Sequence, residues 1–112
     1  MPNMNNQITL KGIGVSKGIA IGPIKVVTEI SEVNKVKTGD IVVTNNNSPL
    51  YSRAFLKAAA IISERGGMLC HLAIVAREFD KPCILDVKNA TKLLKNTMTV
   101  EVNGSNGEIY VK

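Results

Sequence analysis

Ser63-Glu64-Arg65-Gly66-Gly67-Met68-Leu69-Cys70-His71-Leu72-Ala73-Ile74-Val75-Ala76-Arg77-Glu78 is the stretch that decides how this chain folds. The apolar run Ala59-Ala60-Ile61-Ile62 enters it as a buried strand ending at Ser63, and Gly66-Gly67 stop regular structure. From about Cys70 to Phe79, Leu72, Val75, Ala76 and Phe79 recur at i, i+3, i+4 and i+7, the spacing of a single apolar helix face. A strand handed through glycines to an amphipathic helix is a building unit of an α/β sheet. His71, the only histidine, falls off the apolar face at the helix start, where first-turn N–H groups have no intrahelical partner.

The same alternation continues on either side. Gly39-Asp40 precedes the apolar run Ile41-Val42-Val43-Thr44, a second buried strand. A polar loop follows, in which Ser48 caps a helix with Pro49 at its first position, running to about Ala58. After Pro82 come the strand Ile84-Leu85 and a short helix, Ala90 to Leu94. Met98 to Val102 and Glu108 to Val111 form a hairpin around Asn103 to Gly107. At the other end, Ile8 to Leu10 opens an extended run. Gly12 to Gly18 reads as a turn between strands, because its glycine spacing is wrong for a dinucleotide fingerprint and no amphipathic helix follows. Ile19 to Thr28 suits a strand broken at Gly22-Pro23. The expected architecture is α/β with a mixed central sheet. Residues 1–7, Asn-rich and without an apolar segment, read as a flexible tail; residues 8–112 form one domain.

Composition narrows the function classes. Of the 112 residues 45% are hydrophobic and 21% charged, as in soluble globular chains, and the longest apolar runs are too short to cross a bilayer. No membrane association is expected, and the compartment expected is the cytoplasm. Fourteen Lys and Arg against nine Asp and Glu give +5, but the cations are scattered and the aromatics are two Tyr and two Phe without Trp. Nucleic acid is therefore excluded as a partner, and the charge suits anionic substrates or acidic partners. Cys70 and Cys83 form no CxxC pair, and with one histidine they supply too few soft ligands for a zinc site, so no bound metal is expected.

A lone histidine can be an inert core residue, a metal ligand, a general base or a covalent nucleophile. Three features favour the last: glycines that let backbone approach a ligand, the helix start, and the lack of a Ser and Asp arrangement that needs a base. A neutral imidazole is a competent nucleophile toward phosphorus, and the product is a phosphohistidine. Gly66 and Gly67 are the candidate backbone cradle, with Gly67 expected to approach the phosphate too closely to tolerate a side chain, and Arg65 is a candidate phosphate contact. Arg77, nearly opposite His71 on the helical wheel, reads as a surface or packing charge, Glu64 as a solvated loop charge, and Met68 and Leu69 as exposed apolar residues that dock against a partner.

Gly66 to Glu78, continuing to Lys81-Pro82-Cys83-Ile84, resembles the phosphohistidine signature of the phosphoenolpyruvate-utilising enzymes. That family includes phosphoenolpyruvate synthase, pyruvate phosphate dikinase, Enzyme I of the sugar phosphotransferase system and rifampin phosphotransferase. The likeness extends over Gly12 to Gly22, Gly39 to Val43, Pro49 and Gly104 to Gly107, and its motif is most like that of the synthase branch. It implies a swivelling β/β/α domain whose phosphoacceptor, His71, stands at a helix N-terminus. The family usually carries Thr or Ser where Leu69 or Cys70 stand here, a hydroxyl near the phosphate; the resemblance therefore makes Cys70, as in the synthase branch, a candidate phosphate contact, while Leu69 removes a hydrogen-bond donor.

The resemblance implies a carrier that accepts and passes on a phosphoryl group through His71. Its partners are an ATP-grasp nucleotide-binding domain and a phosphoenolpyruvate/pyruvate-binding barrel, in cis or in trans, neither of which fits in 112 residues. Mg²⁺ and ATP or phosphoenolpyruvate are expected on those domains and no cofactor on this one, so turnover requires them. The rival reading is a non-catalytic protein-interaction or anion-binding regulatory module with the same fold, for which Leu69 is the evidence.

Overall fold

The two apolar runs lie at the middle of the sheet, as β4 (Ile41–Thr44) and β5 (Ala60–Ser63), and every residue of both is buried. They lack the alternation of a half-exposed strand because central parallel strands are covered on both faces. The structure, a computed structural model, describes residues 9–46 and 48–112. The tail expected at residues 1–7 lies outside the described residues.

The remaining elements are β1 (Thr9–Lys11), β2 (Ile13–Ser16), β3 (Ile19–Val27), α1 (Ser52–Lys57), α2 (His71–Glu78), β6 (Cys83–Leu85), α3 (Ala90–Leu93), β7 (Thr99–Asn103) and β8 (Glu108–Val111). The eight strands form one sheet in the order β1-β8-β7-β3-β4-β5-β6-β2. β3 to β6 run parallel to one another, and the other pairings are antiparallel, so the sheet is mixed as expected.

β1 and β2 occupy opposite ends of that order, although Gly12 alone separates them in sequence. The sheet therefore curls until its edges meet at Gly12. The Gly12 N–H extends the β1–β8 ladder to the Gly107 carbonyl at 2.9 Å, and the Gly104 N–H extends the β7–β3 ladder to that of Gly18 at 2.8 Å, so the β7–β8 loop lies against β2 at the seam. The closure is tight. A Cβ on Gly104 would lie 1.9 Å from the Ser16 carbonyl oxygen, and one on Gly14 would lie 2.3 Å from that of Gly104.

Curling divides the core in two. On the helix side Val42, Ile61, Cys83 and Leu85 pack with Ala54 and Phe55 of α1 and Leu72, Ala73 and Ala76 of α2. On the other side Ile41, Val43, Ile62 and Ile84 pack with Val100, Val102 and Ile109 of the terminal hairpin. Full burial of such aliphatic side chains contributes roughly 1.5–3 kcal/mol each. Two sheet layers under one helical layer make the expected β/β/α arrangement.

Four local readings change. Gly12 to Gly18, expected as a turn between strands, contains β2, because Ile13, Gly14 and Ser16 find a distant partner in β6. β3 runs unbroken through Gly22-Pro23. The Ile24 amide donates to the Met98 carbonyl at 2.9 Å, so alternation turns the Pro23 nitrogen away from β7, and the pairing with β4 starts only at Ile24. No ladder donor is missed there. The helix expected from Pro49 to Ala58 is a 3₁₀ turn, Pro49–Tyr51, followed by α1; Ser48 Oγ accepts from the Leu50 amide at 3.2 Å, which is the expected cap. Phe79, expected on the apolar face of α2, is 50% exposed, and Ala73 takes its place in the core. The helix ends at Glu78, so its periodicity does not carry Phe79 inward.

Two outcomes follow from this packing. Gly104→Ala should lower the melting temperature by roughly 5–15 °C, because overpacking against backbone cannot be relieved by a rotamer change. Gly67→Ala meets nothing within 4 Å and should change stability by less than about 0.5 kcal/mol; thermal unfolding followed by circular dichroism measures both. Burial pushes the Cys83 thiol far up, neighbouring Cys70 adding to the effect and Arg77 opposing it, while Cys70 is only partly buried. Iodoacetamide at mildly alkaline pH should therefore modify Cys70 alone in the folded chain and reach Cys83 only after denaturation, read by peptide mass spectrometry.

Candidate functional site

The segment between β5 and α2 is built from short turns. The Glu64 amide continues the ladder to the Thr44 carbonyl at 2.9 Å, and Ser63 Oγ accepts from the Arg65 amide at 3.2 Å. Gly66 then reverses the chain at φ 107°, a left-handed conformation that favours glycine. The Cys70 amide donates to the Gly67 carbonyl at 3.1 Å and closes the next turn. Cys70 is extended (φ −74°, ψ 162°) and stands at the N-cap of α2, its carbonyl accepting from Ile74 at 3.2 Å.

His71 is the first residue of α2 and is exposed. The Cys70 side chain makes no capping hydrogen bond, and the first turn carries no acidic residue. The amides there are available to an anion, which the helix dipole favours by roughly 0.3–1 kcal/mol per charge at an exposed site. Around His71 the surface is apolar and exposed: Leu69 is 89% exposed, Met68 52% and Ile74 53%.

Of the residues predicted for the site, Gly66, Gly67, Cys70 and His71 lie together in this turn and helix start. Arg65 turns its Nε–H to the Asn45 carbonyl at 3.1 Å and braces the loop after β4. Gly67 has neither a positive φ nor a neighbour that a side chain would strike, so the protein itself leaves room there. Arg77 is a packing charge as expected, with its Nε–H on the Val15 carbonyl at 2.7 Å and Nη2 on that of Met68 at 2.8 Å. Glu64 is not the solvated charge expected: its carboxylate accepts from the Thr91 amide at 2.8 Å and from Thr91 Oγ1, and so caps α3. No signal in the sequence announces that pairing across 27 positions.

A cleft of about 580 Å³, lined by Lys17, Arg77, Asp80, Gly104 and Ser105 among others, lies at the far end of α2 and does not include His71. Among the described residues, no three His, Cys, Asp or Glu side chains gather as a metal site. No helix among them is long and apolar enough to cross a membrane.

Residues 36–107 match the family described as PEP-utilising enzyme, mobile domain. The chain is 47% identical over 104 residues to a probable phosphoenolpyruvate synthase of Archaeoglobus fulgidus, an alignment covering 93% of this chain and 14% of that one. The chain thus spans about a seventh of the length of such curated relatives. Among solved structures, aconitase X of Thermococcus kodakaraensis superposes with a TM-score of 0.70 at 20% identity, over 94% of this chain and 98% of that one. A solution structure of Enzyme I superposes with a TM-score of 0.62 at 22% identity, over 71% and 33% respectively. Those two likenesses establish the fold, and the family match with the synthase relative establishes more: this chain belongs to the mobile-domain family of phosphoenolpyruvate-utilising enzymes.

Proposed function

We propose that this domain carries a phosphoryl group on His71 between active sites held by other domains. The observation that carries the reading is an exposed imidazole on the first residue of α2, directly after the glycine turn, in a chain of this family. A ring nitrogen attacks the phosphorus of a bound donor. The N–P bond forms as the bond from phosphorus to the donor oxygen breaks, and that oxygen keeps the electron pair. In the second half-reaction an acceptor oxygen takes the phosphoryl group and the imidazole is restored. The glycine turn and the free amides of α2 hold the phosphoryl oxygens. Met68, Leu69 and Ile74 exclude water when the surface docks, which protects the N–P bond from hydrolysis.

In this reading an ATP-grasp domain and a phosphoenolpyruvate/pyruvate barrel supply ATP or phosphoenolpyruvate together with Mg²⁺, in the cytoplasm, and the domain swivels between them. Cys70 and Arg65 are the lesser phosphate contacts. Leu69 favours a second reading, an interaction or anion-binding module without transfer, since a hydroxyl or thiol there would have donated to the phosphate.

Incubation with a radiolabelled phosphodonor and the catalytic domains of a synthase should place one acid-labile, alkali-stable phosphate on the chain. His71→Ala should fold normally and take up none; label that persists in that variant, or survives acid, overturns the carrier reading, and a chain that is never labelled supports the second. The chain alone should hydrolyse neither ATP nor phosphoenolpyruvate, because phosphoryl transfer needs preorganised cations around the moving group. Coupled assays for phosphate and pyruvate release measure this.

A further inference from the structure

We propose that Arg77, with the backbone bulge at Val15, forms a strut that holds the phosphoacceptor turn in position against the sheet. The inference rests on the phosphoryl-carrier reading and names a positioning residue for it. Met68 and Leu69 point largely into solvent, so the turn gains little from core packing. Its own closing bond is the one from the Cys70 amide to the Gly67 carbonyl. The second tie comes from outside: Arg77 Nη2 donates to the Met68 carbonyl at 2.8 Å.

The other end of the strut is equally specific. β2 pairs with β6 through Ile13, Gly14 and Ser16, and the register shifts between Gly14 and Ser16, leaving Val15 without a cross-strand partner. A bulge of this kind frees and re-aims backbone groups. The Val15 carbonyl accepts from Arg77 Nε at 2.7 Å. Both bonds are charge-assisted, and a planar fork reaches two acceptors where an ammonium on a flexible stem settles on one. Placed in the last turn of α2, the cation also meets the favourable end of the helix dipole. A rigid link thus runs from the sheet edge through Arg77 to the residue three positions before His71.

Arg77→Met keeps the aliphatic stem and removes every donor; Arg77→Lys keeps the charge and loses the fork. Amide hydrogen exchange by NMR on the whole chain reads the strut directly. In Arg77→Met the Cys70 and Ile74 amides should exchange about tenfold faster, as expected for loss of a charge-assisted hydrogen bond, while Val42 and Ile62 in the core stay within about twofold. Arg77→Lys should fall between wild type and Arg77→Met. With partner domains present, the maximal rate of His71 phosphorylation should drop in the same order, with its pH profile and the half-saturating partner concentration unchanged. Wild-type exchange at Cys70 in Arg77→Met overturns the strut, and so does a fall in loop and core protection together, which marks general destabilisation. A shifted pH profile would instead make Arg77 act on the reacting groups. If wild-type His71 takes no phosphate, the carrier reading fails, and the exchange data still decide what Arg77 holds.

Discussion

Strands that follow one another across a single glycine sit at opposite ends of this sheet, and most of the architecture depends on that constraint. A flat sheet of eight strands would set its edges far beyond the reach of one residue. Curvature is therefore compulsory, and it completes itself in backbone contacts that leave no space for a Cβ at Gly14 or Gly104. The curl gives the inner core its second wall, Val100, Val102 and Ile109. It also brings β2 beside β6 and under α2, so that the bulged carbonyl of Val15 lies within reach of Arg77. The glycines, which contribute no side chain, locate the support of the histidine turn.

The sequence made the central half of this fold readable because its physics is local. Ile41 to Thr44 and Ala60 to Ser63 are apolar up to a closing Thr44 or Ser63 and buried throughout, and Ser48 before Pro49 caps as its chemistry requires. The errors fell where distant partners decide. Pro23 is accommodated by the staggered start of β4, and Phe79 is left outside by where α2 stops. Glu64 is recruited by Thr91, which belongs to α3 and lies 27 positions further along the chain. The closure itself left a trace only as glycines at 12, 14, 104 and 107, which read locally as turns; their meaning lies in what stands opposite them.

For the candidate site, the histidine, the double glycine and the helix start were visible in sequence because they are contiguous. Arg77 was legible as a packing charge and not as a link, since the carbonyls it joins belong to segments that meet only through the tertiary fold. A cleft lies at the other end of α2; in the carrier reading, a group borne on an exposed apolar surface is suited to entering another protein's cleft, where solvent is displaced by contact and not by enclosure.

The pairing of β1 with β8 has a mechanical consequence. Thr9 lies opposite Tyr110 across one edge of the sheet, so a longer polypeptide that continues past both strands would enter and leave the domain side by side. Two adjacent tethers on one edge act as a hinge pin: they allow the body to swing about that edge and resist its spinning about other axes. In the phosphoryl-carrier reading, the reach of His71 would be an arc whose radius is set by its distance from the β1–β8 edge, with both stations on that arc.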